Sequence, residues 1–153
     1  MTVVKRGTAE RDAGGEGSTL GPYSAELISD TAGLSQFGAF IEELPPGSHS
    51  SHAHWHQAED EMVLILTGSI MLIEDGVETE LTAGDAACWR AGDPVGHTMH
   101  NRSKEPARYV VIGTRAPSDC VTYPDLDRVL HRDHATGTRR YTTLDGAPAD
   151  APG

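Results

Sequence analysis

Basic residues are scarce in this chain of 153 residues, where 12 Lys and Arg stand against 23 Asp and Glu for a formal net charge of −11. A nucleic-acid partner is therefore not expected, because a phosphate backbone needs a basic stripe. Cysteine is nearly absent too. Cys88 and Cys120 lack CxxC spacing, so they supply neither a disulfide framework nor a thiolate metal site and read as two small apolar side chains, with a bridge between them left open. Long apolar runs are missing: nothing could span a bilayer, and Met1 to Glu10, charged at Lys5, Arg6 and Glu10, has no stretch of signal-peptide length. The expectation is a cytoplasmic protein without a membrane partner. Aromatics make up only 5%, while Gly and Pro number 17 and 9, which favours a turn-rich β architecture over a helical bundle. The length suits one domain with a core of its own.

Along the chain, residues 1–22 are glycine-rich without apolar periodicity and predict a flexible arm. Tyr23 to Ile28 could cover a sheet edge. Phe37 to Leu44 predicts a strand that Pro45-Pro46-Gly47 stops. Met62 to Leu66, Ile70 to Glu74 and Val77 to Leu81 form a meander, the last two joined by the hairpin signal Asp75-Gly76. Ala86 to Trp89, Gly96 to Asn101 and Arg108 to Thr114 follow. Short strands at this spacing, with Gly or Pro between them, predict a closed sandwich or barrel over residues 23–116. Residues 117–153 change character and predict a tail, with a short helix over Asp125 to Leu130 and disorder from Gly146 to Gly153.

The chemistry concentrates between Gly47 and Gly68, where four of the eight histidines, His49, His52, His54 and His56, meet the acids Glu59, Asp60 and Glu61. Imidazole and carboxylate suit a divalent transition metal held by nitrogen and oxygen. On a strand His52, His54 and His56 project from one face. A polar turn from Gln57 to Asp60 then lets Glu61 open the neighbouring strand, with Val63 and Ile65 as its inward partners. His97 begins another strand and shares parity with Met99 and Asn101. The register His52-x-His54-x4-Glu59 is the alternative to His54-x-His56-x4-Glu61, but no glycine follows Glu59 at the matching distance. His49, Glu59, Asp60, His100, His131 and His134 read as surface or loop residues, and Trp55 and Trp89 as core or dimer-interface anchors.

The series His54-x-His56-x4-Glu61-x6-Gly68, preceded by Gly47, resembles the first motif of the cupin superfamily. Gly84, five residues, Arg90, Ala91, Gly92, four residues, His97, three residues and Asn101 resemble the second. This chain departs from that pattern at Arg90, where the family commonly has proline, and in a loop before His97 that is two residues longer. The resemblance covers about Phe37 to Thr114. It implies an all-β, cupin-type jelly-roll barrel (a double-stranded β-helix) with an irregular N-terminal arm and C-terminal tail. It also implies a metal in the barrel mouth ligated by His54, His56, Glu61 and His97, with His52, Val63, Ile65, Met99 and Asn101 as pocket candidates. Iron, manganese, nickel and zinc all fit such a site.

A site of this kind leaves coordination positions open to substrate, as catalytic metal sites do. Two functions follow: a metal-dependent oxygenase or isomerase/lyase acting on a small organic molecule, or a binding or sensing module that breaks no bond. A homodimer is expected, since small cupins often pair their barrels and an exposed sheet needs cover.

Overall fold

Glycine and proline cut the chain into segments too short to bury themselves, and the apolar segments solve this by pairing edge to edge. The structure, a computed structural model, describes residues 1–152. Its strands are β1 (Glu10–Gly14), β2 (Tyr23–Leu27), β3 (Phe37–Leu44), β4 (Trp55–His56), β5 (Glu61–Thr67), β6 (Ser69–Glu74) and β7 (Val77–Thr82). After these come β8 (Ala86–Trp89), β9 (His97–His100), β10 (Ala107–Thr114), β11 (Ser118–Tyr123), β12 (Arg128–Asp133), β13 (Arg139–Thr142) and β14 (Pro148–Ala149). One short helix, α1 (Ile28–Ala32), sits between β2 and β3.

Three antiparallel sheets result, in the orders β1-β2-β3-β10-β5-β8, β14-β13-β12-β11-β4 and β7-β6-β9. The last two are stitched together by an isolated bridge between His54 and His97. Together they form the expected all-β jelly-roll. No helix among the described residues is long and apolar enough to cross a membrane.

β5 shows how sequence sets the interior. Its face carrying Glu61, Val63 and Ile65 runs from a polar end into the core, where Val63 and Ile65 pack with Leu44, Ile70, Leu72, Trp89 and Tyr109. Each such aliphatic side chain gains roughly 1.5–3 kcal/mol on burial. One strand thus serves both site and core. The Asp75-Gly76 hairpin between β6 and β7 has positive φ at both residues, the backbone a type I′ turn requires.

Several expectations are corrected. The arm over residues 1–22 contains β1, which pairs with β2 from Glu10↔Leu27 to Gly14↔Tyr23; its side chains carry no apolar pattern, so only the backbone ladder makes it a strand. The tail beyond residue 117 supplies β11 to β14, and β11 pairs with β4 through Val121↔His56 and Thr122↔Trp55. The helix expected over Asp125 to Leu130 stops as a 3-10 turn at Pro124–Leu126, because Asp127 adopts φ 52° and a right-handed helix cannot pass through that conformation. Residues 128–130 join β12 instead. Of the end expected to be disordered, Pro148–Ala149 pair with β13, and Gly153 lies outside the described residues. Cys88 and Cys120 are free thiols on separate sheets, and Cys88 is exposed rather than packed.

Gly68 tests this packing. It has φ 79°, and a Cβ there would lie 2.8 Å from the Pro106 carbonyl oxygen and 3.0 Å from Ala107 Cα. Gly68→Ala should cost about 1–3 kcal/mol and lower the melting temperature more than Gly76→Ala, whose Cβ would meet nothing within 4 Å. Equal losses in paired thermal melts would show that the close approach to β10 does not matter.

Candidate metal centre

The polypeptide brings histidines from separate segments to one carboxylate oxygen. Glu61 Oε2, at the start of β5, lies 3.3 Å from His56 Nε2, 3.7 Å from His97 Nε2 and 4.0 Å from His54 Nε2. His54, His56 and Glu61 form a group whose potential ligand atoms all lie within 4.8 Å of one another. His97 reaches Glu61 without belonging to that tight group.

The remote nitrogen of each ring explains the convergence. His54 Nδ1 lies 3.0 Å from the His52 carbonyl oxygen, His56 Nδ1 lies 2.7 Å from Asp119 Oδ2, and His97 Nδ1 lies 3.3 Å from the Val95 carbonyl oxygen. Each partner is an acceptor, so Nδ1 carries the proton and donates it, which leaves an Nε2 lone pair free in the neutral ring. This is how proteins prepare imidazoles for a cation. His97 Nε2 is buried without any hydrogen-bond partner, which is expensive unless something absent from the protein itself completes it. Trp89 fixes that ring: it stacks on His97 at 3.8 Å between ring centroids, and its indole Nε1–H donates to Glu74 Oε1 at 2.6 Å. The donor chemistry and the orphaned nitrogen fit a divalent metal.

Electrostatics agree. Burial pushes His54 down to about 4, keeping it neutral. Burial also pulls on His56, but the Asp119 and Glu61 carboxylates outweigh it and raise the ring to about 9. Burial would raise Glu61, yet the facing imidazoles more than offset it and hold the carboxyl well below the usual range. The two carboxylates thus favour the charged form of His56, while burial favours the neutral form of His54.

The cluster opens into a cavity of about 420 Å³. Met99 lines it, whereas the other pocket candidates do not. Val63 and Ile65 are packed in the core. Asn101 is fully buried, and its amide donates to the Leu44 and Glu105 carbonyl oxygens, tying the loop after β9 to β3. His52 contributes a backbone carbonyl rather than its ring, because only Trp55 and His56 form β4 and the same-face argument does not reach back to residue 52.

Three participants were not legible in sequence. Asp119, expected in a loose tail, has a fully buried side chain that also accepts from the Ala58 N–H. Glu59, expected in a solvated turn, is buried, lies 3.8 Å from His56 Nδ1 and 3.3 Å from His134 Nε2, and accepts from the Ala116 N–H. Glu42 faces the cavity from β3 and accepts a 2.6 Å hydrogen bond from the Tyr109 hydroxyl. Burial pushes Glu42 up to about 7, against the lowering effect of Tyr109. Alternation places Glu42 on the inward face of β3 with Leu44, a signal the sequence carried but that the adjacent Glu43 obscured, and the other two depend on contacts across the fold.

The family model described as a cupin domain matches residues 40–113. A sugar phosphate isomerase of the cupin superfamily from Silicibacter pomeroyi is 34% identical, with 98% of each chain covered and a TM-score of 0.86. A protein from Acidithiobacillus ferrooxidans, provisionally named a sugar phosphate isomerase, is 22% identical over 96% of this chain and 92% of its own, with a TM-score of 0.82. A polyketide cyclase from Streptomyces resistomycificus is 20% identical over 74% of this chain and 79% of its own, with a TM-score of 0.60. The latter two likenesses show a common fold. No curated protein sequence matches the chain. With both motifs in order, a matching family model and a 34% identical relative covered end to end, the chain belongs to the cupin superfamily.

Proposed function

We propose that this protein is a metal-dependent isomerase for a small hydroxy-carbonyl compound of the sugar phosphate type, with His54, His56, Glu61 and His97 holding one divalent metal. The observation that carries the reading is the common aim of three Nε2 atoms at one Glu61 oxygen, each ring locked by an acceptor at Nδ1. The 34% identical relative named as a sugar phosphate isomerase supports the substrate class. A bound divalent cation would supply Lewis-acid polarisation of the substrate's carbonyl and hydroxyl oxygens.

The protein's own residues would do the rest. Asp119 holds His56 by Nδ1 and keeps its other nitrogen aimed at the cluster. Isomerisation moves a proton between neighbouring carbons, so it needs a group that both takes and returns one near neutral pH. Glu42 meets that requirement: it lies in the same cavity, its carboxyl titrates at about 7, and the Tyr109 hydroxyl fixes its position. The apolar wall formed in part by Met99 and Val111 limits water at the reacting end.

Purified protein should hold one equivalent of metal by elemental analysis and melt higher on addition of iron, manganese, nickel or zinc. Glu61→Gln should abolish both effects. Asp119→Asn should weaken affinity roughly 10- to 100-fold. A clean preparation with no metal and no thermal response would sink the metal reading, and metal-loaded protein that binds sugar phosphates without interconverting them would be a binder instead. Glu42→Gln should keep the metal and lose about 10²- to 10⁴-fold in kcat.

Glu42 also makes a stability prediction in the metal-free protein. Its folded pKa, about 7, exceeds the ordinary 4.5, so its contribution is fully present below the unfolded value and is lost as pH rises towards the folded one. Wild-type stability relative to Glu42→Gln should therefore fall by on the order of 3 kcal/mol between acid and neutral pH and level off above. Denaturant unfolding across that range checks it, and parallel curves for the two proteins would remove the perturbed carboxyl.

A further inference from the structure

The sheet built by the C-terminal extension carries positive charge that the metal cluster does not use. Register places Asp119 opposite Arg132, and Arg132 opposite Arg139, on one face of β11, β12 and β13. Val121, the neighbour of His56 across β4, lies on this face, and Asp119 reaches His56 from it, so the face looks toward the metal cluster. Tyr123 and Tyr141 share it by the same alternation, and the Tyr123 ring lies 5.7 Å from that of His54.

The charges in the cavity can be accounted for one by one. Asp30 is paired with Arg115, which also donates to the Leu34 carbonyl. Glu59 is held by His134 and the Ala116 N–H, Asp60 accepts from the Ala91 N–H, Glu42 accepts from Tyr109, and Glu61 faces the imidazoles. Arg132 lines the same cavity, half-buried, and its guanidinium takes part in none of the side-chain hydrogen bonds or ion pairs among the described residues. Asp119, its cross-strand neighbour, spends its oxygens on His56 and Ala58. Across the strand pair stands Arg139, equally without a partner among the described residues. Two like charges directly opposite on one sheet face destabilise it, and a guanidinium partly withdrawn from water calls for an anion with several oxygens.

We propose that Arg132, with Arg139 beside it, is the subsite for the phosphate group of the substrate, two strands from the metal ligand His56 in the same sheet. The inference rests on the metal-dependent isomerase reading for the reacting end of the molecule and assigns the opposite end. Arg132 presents the planar fork that suits phosphate oxygens. Arg139 adds charge from the exposed side, and the tyrosines on the same face offer hydroxyl donors. No bond to phosphate is made or broken: the group is an anchor whose binding energy orients the carbonyl end towards the cluster. The strand that positions His56 through Asp119 is thereby laddered to the strand that holds the anchor.

The test uses the full chain, metal-loaded and after chelator treatment, with inorganic phosphate as the probe and with glucose 6-phosphate against glucose. Calorimetry and thermal shift should detect phosphate binding in both metal states, and glucose 6-phosphate should bind at least tenfold tighter than glucose. Arg132→Ala should weaken phosphate at least tenfold, Arg132→Lys less, and Arg139→Ala by a smaller factor. Arg140→Ala, on the other face of β13, should change nothing, and all four variants should retain the wild-type metal content. Phosphate binding that requires the metal and ignores Arg132, or no binding in either state, overturns the subsite. Since phosphate is read in metal-free protein, loss of the metal reading leaves this result interpretable. If Arg132→Ala fails to fold, the Arg132→Lys and Arg139→Ala pair carries the comparison, and unchanged phosphate affinity in both overturns the proposal.

Discussion

Everything near the barrel mouth depends on one constraint: a desolvated imidazole presents a lone pair in a fixed direction only if its other nitrogen gives its proton away. His54, His56 and His97 each satisfy it with a different acceptor, one from a neighbouring carbonyl, one from a buried carboxylate and one from a loop carbonyl. Two of the acceptors are carbonyls two residues before the histidine they hold, and the third, Asp119, lies 63 residues from His56, so local backbone aims two rings and the closed barrel aims the third. The cost is an unpartnered buried nitrogen on His97 and a crowded carboxylate at Glu61. Such unmet polarity is tolerated where surrounding structure over-determines it, and here Trp89, anchored by Glu74, holds the most buried ring from its flat side.

The C-terminal extension matters for the same reason. β4 is two residues long, too short to hold His56 by itself. Its ladder to β11 supplies a neighbour, and Asp119 supplies the acceptor. Two loops are bound in the same way: Glu59 links the turn after β4 to Ala116 and His134, while Asp60 links it to Ala91 and Thr114. From this extension Arg132 and His134 line the cavity, while β11 supports it from behind through His56.

Charge is distributed unevenly across this framework. The chain carries a net −11, a field that repels anions at long range, yet its cavity gathers guanidinium groups from β12 and the segment after β10. One of these, Arg115, is neutralised by Asp30, and the other, Arg132, is not. Local contacts at short distance outweigh the diffuse field, since screening over about 8 Å removes most of the latter at physiological salt. An acidic protein can in this way receive an acidic ligand at one place.

The sequence by itself determined the barrel and the composition of its chemistry. Strands from Phe37 to Thr114 follow from runs of apolar residues punctuated by glycine and proline, signals that act over neighbouring residues and survive without tertiary context. The spacing of His54, His56 and Glu61 against Gly68 was legible because a polar turn and a strand parity fix where those side chains lie. Only the tertiary structure decided the remainder. β1 has no apolar pattern and exists through its ladder to β2, and Asp127 in the left-handed region turns a would-be helix into a hairpin. Asp119, 63 residues from His56, becomes its partner through a strand pairing that no local pattern encodes. Val63, Ile65 and Asn101 have the right parity but sit too deep to meet a ligand, because parity gives the face of a strand and depth along it is set by how the sheets close.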